Sequence, residues 1–167
     1  MDIEGTLLTL AELAVALAGF AGVVTAFQRR ARPWTRHDSM RLWNMLRFAL
    51  ALLFFALLPL AWVAADSDPW VICTALLGLT VAGQAGVSSW LAITRPPGTQ
   101  LFVALFLGLG GAIVAAVILL SAAGALLEQP FAAYFIGLLW LVLASALFFV
   151  RLVYLGLADT PAEEASE

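Results

Sequence analysis

Three observations predict an all-α, polytopic membrane protein, a bundle of five transmembrane helices. Hydrophobic residues make up 63% of the 167-residue chain and the mean hydropathy is +1.02, well above a soluble domain with its roughly 45–50% apolar residues. Charged residues amount to only 11% and gather in short clusters. The apolar runs between those clusters approach or exceed the roughly 20 residues that a bilayer core requires. Residues 1–158 therefore read as a single transmembrane domain with helices at about 6–28, 36–65, 69–94, 100–127 and 130–157. Residues 159–167, DTPAEEASE, have four carboxylates and no apolar face, which predicts a disordered acidic tail.

The first helix includes Thr6–Arg30, TLLTLAELAVALAGFAGVVTAFQRR. Ala14-Val15-Ala16 has the small-x-small form of a signal-peptide cleavage site. However, Asp2 and Glu4 replace a basic n-region, Glu12 interrupts the apolar stretch, and Arg29-Arg30 follows it like a stop-transfer signal, so the segment reads as a mature transmembrane helix. The second helix starts in water: Thr35-Arg36-His37-Asp38 fits a capping box, and the turns bearing Arg36, Arg41, Asn44 and Arg47 project from the membrane. Pro59 interrupts its other half. Asp68-Pro69 is an N-cap followed by Pro at the first helical position, and Gln129-Pro130 repeats the form. Arg95-Pro96-Pro97-Gly98 is a turn between the third and fourth helices.

Five crossings put the two ends on opposite sides. There are eight Arg and no Lys, six of the Arg between positions 29 and 47. With Arg95 and Arg151 they mark one side as cytoplasmic, while Asp2, Glu4, Asp66, Asp68 and Glu128 mark the other as external. Trp62, Trp70 and Tyr134 fall at the outer edge and Trp34, Trp43, Trp90 and Tyr154 at the inner one, as an aromatic belt would. The expected location is a bacterial inner membrane, with multiple passes.

Glu12 is the residue most in need of explanation. It lies about 9 Å inside the outer edge of a core that starts at Thr6, and no basic residue falls at that depth. Such a carboxylate is protonated, hydrated, holding a cation or hydrogen-bonded. At 100° per residue it shares a stripe with Ala16, Gly19, Val23, Ala26 and Arg30. Ser121, Thr74 and Tyr134 lie at similar depth and could bond to it. Lower in the bilayer, Thr80, Gln84 and Ser88 form a polar face on the third helix, with Ser145 level with Gln84. This face is either interhelical glue or the wall of a wet path.

Small residues recur every fourth position at Ala14, Ala18, Gly22 and Ala26, and again at Ala104, Gly108, Ala112 and Ala116. Such ladders let helix backbones approach closely, so the first and fourth helices are the expected sites of close packing, within one subunit or between copies. The cluster Arg29, Arg30, Arg32, Arg36 and Arg41 fits anionic lipid headgroups, beyond its plain role in setting topology.

Several chemistries are not expected. One Cys (Cys73) and one His (His37) leave no material for an internal disulfide or a His- or Cys-rich metal site. An intramembrane protease would need Ser with His, or paired Asp, within helices. There is no P-loop and no dinucleotide fingerprint. Neither an enzyme, a cofactor, a metal site nor nucleic-acid binding is expected.

LAELAVALAGFAGVVTAFQRR, followed by Trp34 and a basic helix start, resembles a group of small bacterial inner-membrane proteins with a similar first helix. The resemblance covers about a quarter of the chain and implies a bacterial setting, but no activity and no site residue. A looser similarity joins Glu12, Val15, Gly19, Val23 and Arg30 to the pore helix of Orai-type calcium channels. That helix has a Glu at the outer mouth, an apolar section and basic residues within, though its chain direction is reversed and the channel has four helices.

The expected function is a homo-oligomeric channel for small ions, cations favoured, with the first helix lining the path. A non-conducting scaffold or accessory subunit that binds a partner membrane protein is the alternative, and a proton-coupled carrier using Glu12 is the third reading.

Overall fold

Several helix boundaries among the described residues have a local chemical cause. The computed structural model describes residues 2–31, 36–63, 69–94, 104–127 and 129–158, and among them every regular element is helical. Helix α1 spans Ile3–Ala31 and opens three residues earlier than its apolar run suggests, because Asp2 caps it. The Asp2 carboxylate accepts a hydrogen bond from the Gly5 N–H at 2.9 Å, satisfying an otherwise orphaned donor. Glu4 in the first turn suits the positive end of the helix dipole. Helix α2 spans Arg36–Val63 and contains Pro59. The proposed Thr35 capping box and the Asp68 cap lie outside the described residues. Helix α3 spans Trp70–Thr94, and the Pro69 carbonyl already accepts from the Cys73 N–H at 2.9 Å.

Helix α4, described over residues 104–122, departs most from expectation. Ala104 and Leu105 are α-helical, a π-turn follows over Phe106–Gly110, and the α-helix resumes at Gly111. It ends at Ala122, not near 127. Gly124 has φ +75°, its N–H donates to Ser121 O at 3.0 Å, and the Ala125 N–H donates to Leu120 O at 2.8 Å. This pair of bonds is a Schellman termination, which glycine provides without steric cost. The apolar run Ala125-Leu126-Leu127 hid that stop signal. Helix α5 spans Pro130–Ala158.

Four of the five helices are long and apolar enough to cross a membrane: α1 over Ile3–Phe27, α2 over Leu42–Trp62, α3 over Trp70–Trp90 and α5 over Phe131–Tyr154. Over its described residues, helix α4 offers a shorter apolar stretch, Phe106–Ala122. Consecutive helices run antiparallel, with Gly78 beside Leu119 and Gly108 beside Ser89 across the α3–α4 pair. The last helix is the hub. Helix α5 packs on all four others, with the α1–α2 hairpin to one side and the α3–α4 hairpin to the other.

The core follows from this arrangement. Leu52, Phe55, Leu77, Ile118, Tyr134, Leu138 and Leu141 are buried in one cluster, and Ala21, Met45 and Leu152 form a second near the other end. Glycine sets the closest approaches around α5 and α4. A methyl group at Gly137 would lie 2.6 Å from Leu77, and one at Gly110 would lie 2.5 Å from the Trp140 ring. Large apolar residues elsewhere point outward, as expected of a surface facing hydrocarbon.

Pro59 shows how the interior deals with a break in helical bonding. Proline has no N–H, so the carbonyl four residues earlier, that of Phe55, lacks its helical donor. The Tyr134 hydroxyl of α5 donates to that oxygen. Neighbouring helices commonly satisfy groups freed by proline in this way.

Candidate functional site

Helix α1 is the most peripheral span: 28% of its most apolar window is buried, against 44% for α5. Its inward face, Leu7, Leu10, Ala11, Ala14, Ala21 and Thr25, is buried against α2 and α5. Glu12 lies on the opposite face. It is exposed together with Val15, Ala16, Gly19, Val23 and Ala26, so the predicted stripe forms one outward surface. Neither Gly19 nor Gly22 has an atom within 4 Å of where a Cβ would sit. Glu12 lies within the 25-residue span Ile3–Phe27, about 14 Å along its axis. No hydrogen bond or ion pair joins it to the described residues.

The polar residues matched to Glu12 by depth lie elsewhere. Ser121 is buried and donates to Val117 O of its own helix at 2.7 Å, Tyr134 donates to Phe55 O, and Thr74 is fully buried. The outward carboxylate cannot meet these inward groups within one protomer.

The proposed polar face divides. Thr80 donates to Leu76 O at 2.9 Å, a bond within its own helix, and Ser88 is half-buried. Gln84 Oε1 and Ser145 Oγ are buried without a hydrogen-bond partner, as are Thr25 Oγ1 and Arg47 Nε. Buried polar atoms in this condition are the ones that internal water most often satisfies.

The small-residue ladders are also only partly inward. Ala14 is buried, Ala18 half-buried and Gly22 exposed. In α4, Ala104 is half-buried, Gly108 is buried against Ser89, and Ala112 is exposed. The π-turn interrupts the four-residue spacing, and burial continues through Gly111, Ala115 and Ile118. No extensive contact joins α1 to α4.

Of the basic cluster, Arg32 and the side chains of Arg29, Arg30, Arg36 and Arg41 lie outside the described residues. The guanidinium of Arg47 sits 5.4 Å from the Phe48 ring centre, within reach of cation–π attraction. Among the described residues, no three His, Cys, Asp or Glu form a metal-binding group.

No family model, curated protein or solved structure matches the chain. The geometry must stand on its own. Two features of it were missed in the residue patterns, the Asp2 cap and the Tyr134–Phe55 bond. The first is signalled by Asp three residues before Gly5. The second has a partial signal, since an interior proline always frees the carbonyl four residues earlier.

Proposed function

We propose that the protein forms a homo-oligomeric membrane channel in which copies of α1 surround a path for small cations. The observation that carries this reading is the position of Glu12: a carboxylate inside an apolar span, facing away from its own bundle, on a stripe of small and apolar residues. Facing hydrocarbon, an ionised carboxylate is strongly disfavoured. Facing other copies around a wet path, it is hydrated, and a ring of such groups attracts cations. Gly19 and Val23 continue the path toward Arg30. The excess of arginine near Arg30 supports a cytoplasmic position for that end of the path in a bacterial inner membrane, with Asp2 outside.

Cation flux into liposomes holding the purified protein tests the proposal. Flux that falls on Glu12→Gln supports it. Wild-type protein that carries no flux rejects it and favours a scaffold whose α1 face holds the helix of a partner protein.

A further inference from the structure

We infer that Pro59 makes a hinge in α2 and that the Tyr134 hydroxyl latches the hinge in the conformation described here. The latch is the donation from Tyr134 to the Phe55 carbonyl, standing in for the N–H that Pro59 lacks. It reaches from a different helix, so it can be released without breaking any bond within α2. Tyr134 is fully buried, which leaves water unable to replace it at low cost.

Packing on the two sides of the hinge is unequal. Before Pro59, the residues Phe48, Ala49, Leu52, Phe55 and Ala56 are buried. After it, Leu60 and Trp62 are half-buried and Ala61 is exposed. Of the described side chains past the hinge only Leu60 packs against the core, and less enclosed segments open most easily.

There is also room for movement. A cleft of about 280 Å³ is lined by Ile3, Glu4 and Leu7 of α1, Pro59 and Leu60 of α2, and Trp70 of α3. Two of its walls are hinge residues. A third wall, Trp70, packs edge-on against the Tyr134 ring with centres 5.9 Å apart, so cleft and latch share a side chain. Release of the latch lets the end of α2 swing against this cleft, a hinge motion absorbed at one position. The inference is independent of ion conduction.

Hydrogen exchange of the full-length protein in lipid nanodiscs tests the latch. Tyr134→Phe keeps the ring and its contact with Trp70 but leaves the Phe55 carbonyl unpaired. Exchange over residues 56–63 should rise about tenfold, with residues 42–52 unchanged. In a Pro59→Ala background the restored N–H supplies the missing bond, and Tyr134→Phe should add nothing. Unchanged exchange over 56–63 would overturn the inference, as would an equal rise in the Pro59→Ala background, which would mean that Tyr134 acts by packing alone. If Tyr134→Phe fails to reconstitute, recovery of folded protein by adding Pro59→Ala supports the latch, and failure to recover it rejects the latch.

Discussion

At the scale of single residues, Glu12 separates a charge effect from a packing effect because it is exposed and has no hydrogen-bond or ion-pair partner among the described residues. The isosteric Glu12→Gln removes charge but keeps size and hydrogen bonding. Fold and assembly should persist while cation flux falls, measured in liposomes at one pH and ionic strength. Glu12→Leu supplies the contrasting case: with no inward partner to lose, it should leave the thermal stability of the isolated protomer unchanged. A lower midpoint on Glu12→Leu would show that the carboxylate has a structural partner after all. The presence of Glu12 within the apolar span was legible in the residues alone. Its outward direction was not, because periodicity groups residues into stripes without saying which stripe faces the neighbouring helices.

At the scale of helices, glycine does two different jobs, and the structure tells them apart. Gly137 sits where a Cβ would meet Leu77 at 2.6 Å and Ile118 at 2.8 Å, so Gly137→Ala overpacks the meeting point of α3, α4 and α5. A destabilisation of about 1–3 kcal/mol is expected, read as a lower unfolding midpoint in detergent. Gly124 acts instead through its backbone: at φ +75°, Gly124→Ala should cost about 1 kcal/mol or more and fray the end of α4. An unchanged midpoint for both variants would contradict the packing and the termination described here. Spacing alone pointed to α1 and α4 as the close-packing helices, since both repeat small residues every fourth position. The π-turn in α4 breaks that repeat, and the open surroundings of Gly19 and Gly22 leave the α1 ladder without an internal partner. The starts of α3 at Trp70 and α5 at Pro130 fall where proline signals them, because prolines act within a few residues whereas faces depend on tertiary packing.

At the scale of the whole molecule, the all-helical class was legible because hydropathy is a property of composition. The central position of α5 was not legible, since all five apolar runs are similar in composition and nothing in them ranks one as hub. That arrangement bears on assembly: α5 contacts both hairpins, whereas α1 is peripheral and has an open face of Ala16, Gly19, Gly22 and Val23. Association through this face calls for close backbone approach, which small residues permit where lipid offers no hydrophobic gain. Gly22→Leu adds a side chain into open space, so the protomer should unfold at an unchanged temperature. The same variant should shift the protein toward monomer, seen by native mass spectrometry as loss of species heavier than the 17.8 kDa chain. Gly137→Ala should do the reverse, lowering stability without acting on the α1 face. Wild-type protein that stays monomeric in lipid, or a Gly22→Leu variant that assembles normally, would exclude α1 as the contact between copies and the Glu12-lined path along with it.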